Sequence, residues 1–185
     1  TDIGLLFELD NNEIYLLNNI IKSDKIINTS LQNQKAYKIM IDEKIIMIND
    51  STTPVSSLQF LTKTGDLYEL FYNINASEKS NVKKIMSNVK SLETNGYNIS
   101  ILDNDGNGYV YGYNILETGI LGNSDASRIP NGVKEYVSNP QKIGSDLKEL
   151  HVVSSNHISS LKIYAINNQD ELLIMGAAKN DNDFM

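Results

Sequence analysis

The chain has 185 residues, a formal net charge of −7, and neither cysteine nor tryptophan. The missing cysteine removes disulfides, thiolate-bound zinc, iron–sulfur clusters and a thiol nucleophile together. A single arginine, Arg128, in an acidic chain leaves no basic face for a phosphate backbone, and no apolar run approaches the roughly 18 residues of a membrane span, so neither nucleic-acid binding nor membrane insertion is expected.

Short Ile/Leu/Val/Tyr-rich runs separated by Asn, Asp and Gly predict strands rather than helices. In chain order they are Ile14 to Leu17, Tyr37 to Ile41, Ile45 to Ile48, Leu58 to Leu61 and Leu67 to Tyr72. Then follow Ile99 to Leu102, Tyr109 to Tyr113, Leu150 to Val153, Leu161 to Ile166 and Leu172 to Met175. Turn residues divide them at Asn11-Asn12, Thr64-Gly65-Asp66, Asp105-Gly106-Asn107-Gly108 and Asn167 to Asp170, each a hairpin signal. Two stretches read as short helix. Val82, Ile85, Met86 and Val89 fit a 3.6 period within Glu78 to Leu92, and Asp146 to Leu150 is the other.

The hairpins repeat. Phe60 to Phe71 aligns with Ile101 to Gly112 and with Ala165 to Gly176; Phe7 to Asn18 is a weaker copy. A second element recurs as Lys38-Ile39-Met40, Lys84-Ile85-Met86 and Lys142-Ile143-Gly144, the last two followed by Ser87-Asn88 and Ser145-Asp146. A two-part repeat with a period near 50 residues and almost no helix predicts propeller blades. The expected units run about 5–35, 36–83, 84–141 and 142–180 within one domain of residues 1–185. The fold class expected is all-β: a partial β-propeller of about three four-stranded antiparallel blades.

The unit over residues 84–144 resembles the repeat of the regulator of chromosome condensation family. It carries Asp105-Gly106, Tyr109-Val110-Tyr111-Gly112, Asn114 and Gly119-Ile120-Leu121-Gly122, then Pro140 to Ile143 opening the next unit. Tyr111 stands where the family has Trp, and Leu70-Phe71 and Met175-Gly176 are degraded copies of its Trp-Gly pair. The resemblance implies a propeller whose full ring has seven blades. This chain is then a fragment, a partial propeller, or a protein that pairs its open edges with another chain, since a bare edge blade invites aggregation.

Chemistry-bearing residues are few. Asp103-Asn104-Asp105-Gly106-Asn107-Gly108 matches the start of a calcium loop, but the bidentate Glu of its last position is Asn114 and no helix precedes it. A Gly-rich hairpin turn is the expected reading, with Asp103, Asp105 and Asn107 as a weak metal candidate. His151 and His157 lack helical metal spacing; the resemblance makes His157 a packed structural histidine. Ser154, Ser155, Ser159 and Ser160 have no nucleophile elbow, and the pairs Asp42/Glu43 and Asp170/Glu171 fall at hairpin tips. No cofactor and no catalysis are expected.

The polar segment Asn123 to Asn139 carries Asn123, Asp125, Arg128 and Tyr136 as the expected partner contacts, because Arg and Tyr are favoured at binding hot spots. The expected function is a protein-interaction module with a protein partner, in a secreted or surface-exposed bacterial setting. The resemblance also implies nucleotide exchange on a small GTPase, and a calcium-stabilised adhesion repeat is the other alternative. The 24 Asn, 23 Ile and 15 Lys fit an A/T-rich genome, with Asn serving where Asp or Gly commonly stands in turns.

Overall fold

The structure, a computed structural model, describes residues 3–11, 13–19, 36–51, 57–71, 82–114, 135–153 and 162–176. These form four antiparallel sheets, each made of strands consecutive in the chain. The first holds β1 (Ile3–Glu8), β2 (Ile14–Asn19) and β3 (Ala36–Ile39). The second holds β4 (Ile45–Ser51), β5 (Ser57–Thr62), β6 (Leu67–Phe71) and β7 (Val82–Met86). The third holds β8 (Val89–Thr94), β9 (Asn98–Asp103), β10 (Gly108–Asn114) and β11 (Glu135–Gly144). The fourth holds β12 (Leu147–Val153), β13 (Lys162–Asn167) and β14 (Leu172–Gly176).

The sheets stack face to face, and the cores lie between them. Ile14 and Ile39 of the first sheet pack on Leu58, Phe60 and Leu70 of the second. Leu61 and Leu67 of the second meet Val89, Leu92, Ile99, Ile101 and Tyr111 of the third. Leu102 and Val110 of the third meet Leu147, Leu150, Val152, Ile163 and Ala165 of the fourth. β5 and β9 are buried at every position because each is covered on both faces. Ser57, Gln59, Asn98 and Ser100 are therefore buried along with the apolar residues between them. The second interface also buries polar groups: Glu69 accepts hydrogen bonds from Ser57 Oγ at 2.9 Å and Gln59 Nε2 at 3.1 Å.

The aligned positions keep their roles. Tyr111 is fully buried between the second and third sheets, and its counterpart Leu70 is fully buried between the first and second. Gly112 has a φ of 118°, and a Cβ there would sit 2.4 Å from the Tyr97 carbonyl oxygen, so only glycine lets β10 pass so close to the start of β9.

Both helix expectations are corrected. Val82 to Leu92 forms β7 and β8, and Leu147 to Leu150 opens β12; residues 78–81 lie outside the described set. The helical spacing has a definite cause. Met86 pairs with Leu67 and Lys84 with Tyr68, leaving Ile85 as an extra, bulged residue. That bulge sets Ile85 and Met86 side by side against one core, which imitates an i, i+3, i+4 stripe. Ile143 is the matching extra residue in β11 and packs on the next core. In the second and third sheets the Lys-Ile motif thus marks a bulge in the last strand, whereas in the first sheet Lys38 and Ile39 pair in regular register with Tyr15 and Ile14. Repeat units and sheets are accordingly offset: the chain passes between sheets at 40–44, 87–88 and 145–146.

Candidate interaction surface

At one end of the stack the hairpin turns and the inter-sheet connectors form a continuous rim. Each turn is built alike. The Leu9, Thr62, Asp103 and Asn167 N–H groups donate to the carbonyls of Glu13, Asp66, Asn107 and Glu171 at 2.8 to 3.1 Å. Gly65, Gly106 and Asp170 occupy the left-handed position with φ of 85°, 79° and 63°. In the last three turns the oxygen side chain that opens the turn caps it. Asp103 Oδ1 accepts from the Asp105 and Asn107 N–H groups at 2.9 and 2.7 Å, and Asn167 Oδ1 from those of Gln169 and Glu171 at 3.0 and 2.8 Å. Thr62 Oγ1 accepts from the Asp66 N–H at 3.1 Å.

The turns are also tied to the connectors. The Lys63, Asn104 and Asn168 N–H groups donate to the carbonyls of Lys44, Asn88 and Asp146, at 2.8, 3.0 and 3.0 Å. In the other direction, Val89 and Leu147 donate to the carbonyls of Gly65 and Gly106, both at 2.9 Å. Asn88 and Asp146 hold φ of 65° and 62°, a conformation that Asn and Asp tolerate best after glycine. Side chains repeat the link: Asn104 Nδ2 donates to Asn88 Oδ1 at 3.1 Å, and Asn168 Nδ2 to Asp146 Oδ1 at 2.6 Å.

The calcium-loop candidate falls on one of these turns. Asp103, Asp105 and Asn107 do lie together, but their polar atoms serve the turn. Asp103 Oδ2 accepts from Asn107 Nδ2 at 2.9 Å and Tyr109 Oη at 3.3 Å, and Asp105 Oδ2 accepts from Asn88 Nδ2 at 2.8 Å. Asn107 turns its amide nitrogen toward the carboxylate, the reverse of a metal ligand. Burial would raise the Asp103 carboxyl, but hydrogen bonds from Asn107, Asp105 and Tyr109 outweigh it and hold the group below the usual carboxylate range. Among the described residues no cluster of three His, Asp or Glu gathers around a metal-sized site.

Ion pairs staple individual sheets. Lys38 meets Glu13 and Lys84 meets Asp66, so the lysine of the repeated Lys-Ile motif closes on the acid that follows its hairpin turn. Lys148 pairs with Asp170 at 2.5 Å. Of the acids expected at hairpin tips, Asp42 and Glu43 lie instead in the connector between the first and second sheets, where Glu43 accepts from the Thr64 hydroxyl; Glu171 accepts from Asn167 Nδ2 at 2.7 Å.

His151 has a role that its spacing did not reveal. Its Nδ1 lies 3.0 Å from Glu93 of β8 and its Nε2 lies 3.4 Å from Glu149 of β12, bridging the third and fourth sheets. Burial would lower its pKa, but hydrogen bonds to Glu149 and Glu93 and their charge outweigh this and raise it. The only sequence signal was an acid at i−2; the Glu93 contact depends on sheet packing.

Asn123, Asp125 and Arg128 lie outside the described residues, as do His157 and the serines around it. Tyr136 falls within β11, its backbone paired with Tyr113, so the polar segment ends at β11 and not at Asn139.

Stacked antiparallel sheets joined in chain order define a partial β-propeller. The solved structure of human WBSCR16, a propeller-like fold, aligns with a TM-score of 0.54 at 14% identity, covering 96% of this chain and 46% of that one. The chain thus spans about half the length of that protein. No family model and no curated protein matches the sequence.

Proposed function

We propose that this chain is a protein-interaction module that binds through the turn rim of its propeller sheets, as a binding or inhibitory protein and not as an enzyme. The observation that carries the reading is the repeated turn-to-connector hydrogen bonding. It locks the backbone of successive hairpin tips while leaving Thr64, Asn104, Asp105, Asn168 and Gln169 exposed. Exposed side chains on a fixed backbone lose little entropy when a partner docks, which is what favours a rigid binding platform. The rim is rich in amide and carboxylate groups, so it suits a partner that offers basic and N–H donor groups. A secreted or surface-exposed bacterial setting belongs to the same proposal, on the strength of the family resemblance.

The test is affinity capture on the immobilised chain, comparing wild type with Asp105→Lys combined with Gln169→Lys. The expected result is a partner whose retention falls at least tenfold in the double variant and weakens in high salt, with circular dichroism unchanged. Retention unaffected by the rim variant but lost on Arg128→Ala with Tyr136→Ala would move the interface to the segment around Arg128. Failure to retain any protein would sink the reading.

A further inference from the structure

The sequence contains three Asn-Gly pairs, Asn95-Gly96, Asn107-Gly108 and Asn131-Gly132, the last outside the described residues. In such a pair the side-chain amide precedes a backbone nitrogen that no Cβ shields. Asn95 and Gly96 lie in the loop between β8 and β9, at the end of the third sheet opposite the turn rim. Asn95 Oδ1 accepts from the backbone N–H groups of Tyr97 and Asn98 at 2.9 and 2.8 Å. These bonds fold the side-chain amide back over the following peptide, as in an Asx turn. The Gly96 N–H donates to Thr94 Oγ1 at 3.0 Å, and that hydroxyl donates to the Asn98 carbonyl at 3.1 Å. Gly96 holds a φ of 89°. Asn95 Nδ2 is buried and meets no acceptor among the described residues.

We propose that Asn95 is a self-modification site, at which the folded turn promotes deamidation of its own side chain. The Gly96 nitrogen gives up its proton, and its electron pair forms a bond to Asn95 Cγ. The Cγ–Nδ2 bond then breaks, and Nδ2 leaves with one added proton as ammonia. Water opens the resulting succinimide ring at one of its two carbonyls, leaving an aspartate or its β-linked isomer at position 95. Negative charge develops on Oδ1 during the attack. Two backbone N–H groups already point at that atom, at the distances of an oxyanion hole. Departure of Nδ2 breaks no hydrogen bond, and it removes a buried donor whose desolvation nothing repays. Thr94 is a positioning residue. Its hydroxyl accepts from the Gly96 N–H and, by rotating, donates to the same nitrogen once the proton has gone.

Asn107-Gly108 presents the opposite setting. Asn107 Nδ2 donates to Asp103 Oδ2 at 2.9 Å, so the leaving nitrogen is held and a carboxylate lies beside the amide that would gain negative charge. The two pairs share a sequence and differ in surroundings, which makes Asn107 the internal control. The modification adds one negative charge away from the rim, and it stands or falls apart from whatever the rim binds.

The test is peptide mapping by mass spectrometry of the 185-residue chain, incubated at mildly alkaline pH with and without urea. In the folded chain, conversion at Asn95 should be about tenfold or more faster than at Asn107. In urea the two pairs should convert at similar rates. Thr94→Val should slow conversion at Asn95 severalfold with circular dichroism unchanged, and Thr94→Ser should restore it. Conversion at Asn95 no faster than at Asn107 in the folded chain, or an equal preference for Asn95 in urea, would overturn the proposal. An unchanged rate in Thr94→Val would overturn the role given to Thr94.

Discussion

The third and fourth sheets are built from the same repeat and differ in what covers them. β9 is buried along its whole length, while β13 alternates between buried and half-buried residues. Their middle strands align residue for residue, and both turns use an Asx side chain to cap a left-handed residue. The local sequence therefore builds an equivalent hairpin in each case. Whether a residue contributes to stability is decided by the neighbouring sheet.

Core truncation should separate the two sheets most. Ile101→Ala removes a fully buried side chain between the second and third sheets and is expected to cost about 2–5 kcal/mol. Ile174→Ala, at a position 43% exposed, is expected to cost under about 0.5 kcal/mol. Urea denaturation of both variants measures the gap, and equal losses would show that Ile174 is covered as Ile101 is.

Next in size is backbone strain. Gly112→Ala must hold a φ of 118° and force a Cβ to within 2.4 Å of a carbonyl oxygen. The expected loss is about 1–3 kcal/mol or a shifted β10, read by denaturation and by hydrogen exchange in β9 and β10.

The turn caps come third. Asp103→Ala strips four hydrogen bonds from one side chain and should cost about 1–2 kcal/mol. Asp103→Asn, which copies Asn167, should restore most of it. Because the folded pKa of Asp103 is depressed, its contribution is present above the unfolded carboxyl pKa and is lost as pH falls through the lower folded value. The Asp103→Asn variant should accordingly lose less stability in acid than wild type.

The smallest effect is that of His151. Its folded pKa is raised, so its contribution is fully present below the unfolded value of about 6.5 and fades as pH rises through the folded one. Thermal melts across that window should show a slight fall with rising pH, flattened by His151→Gln and weakened by salt. A slope unchanged in the variant would remove His151 from the contact between the sheets.

Strand content was legible because apolar runs of strand length alternate with Asn, Asp and Gly. Each of the ten apolar runs lies wholly or largely within a strand. The turn motifs were legible, and Leu9, Thr62, Asp103 and Asn167 make the same backbone hydrogen bond. β7 and β8 were misread because bulges change the side-chain period, and a bulge depends on register with a partner strand. β11 was missed because Pro140 and a polar composition hide a strand. The rim was partly visible. Its turn residues stood out, but their links to Lys44, Asn88 and Asp146 join residues far apart in the chain.

By itself the sequence determined the strands, the left-handed turn positions and the acidic, cysteine-free composition. Each of these depends on the local backbone or on composition, which a residue carries wherever it is placed. Tertiary structure decided which faces are covered, which acids cap turns, and which histidine bridges two sheets. Those outcomes depend on distances between residues of different sheets, and the stacking of sheets fixes such distances.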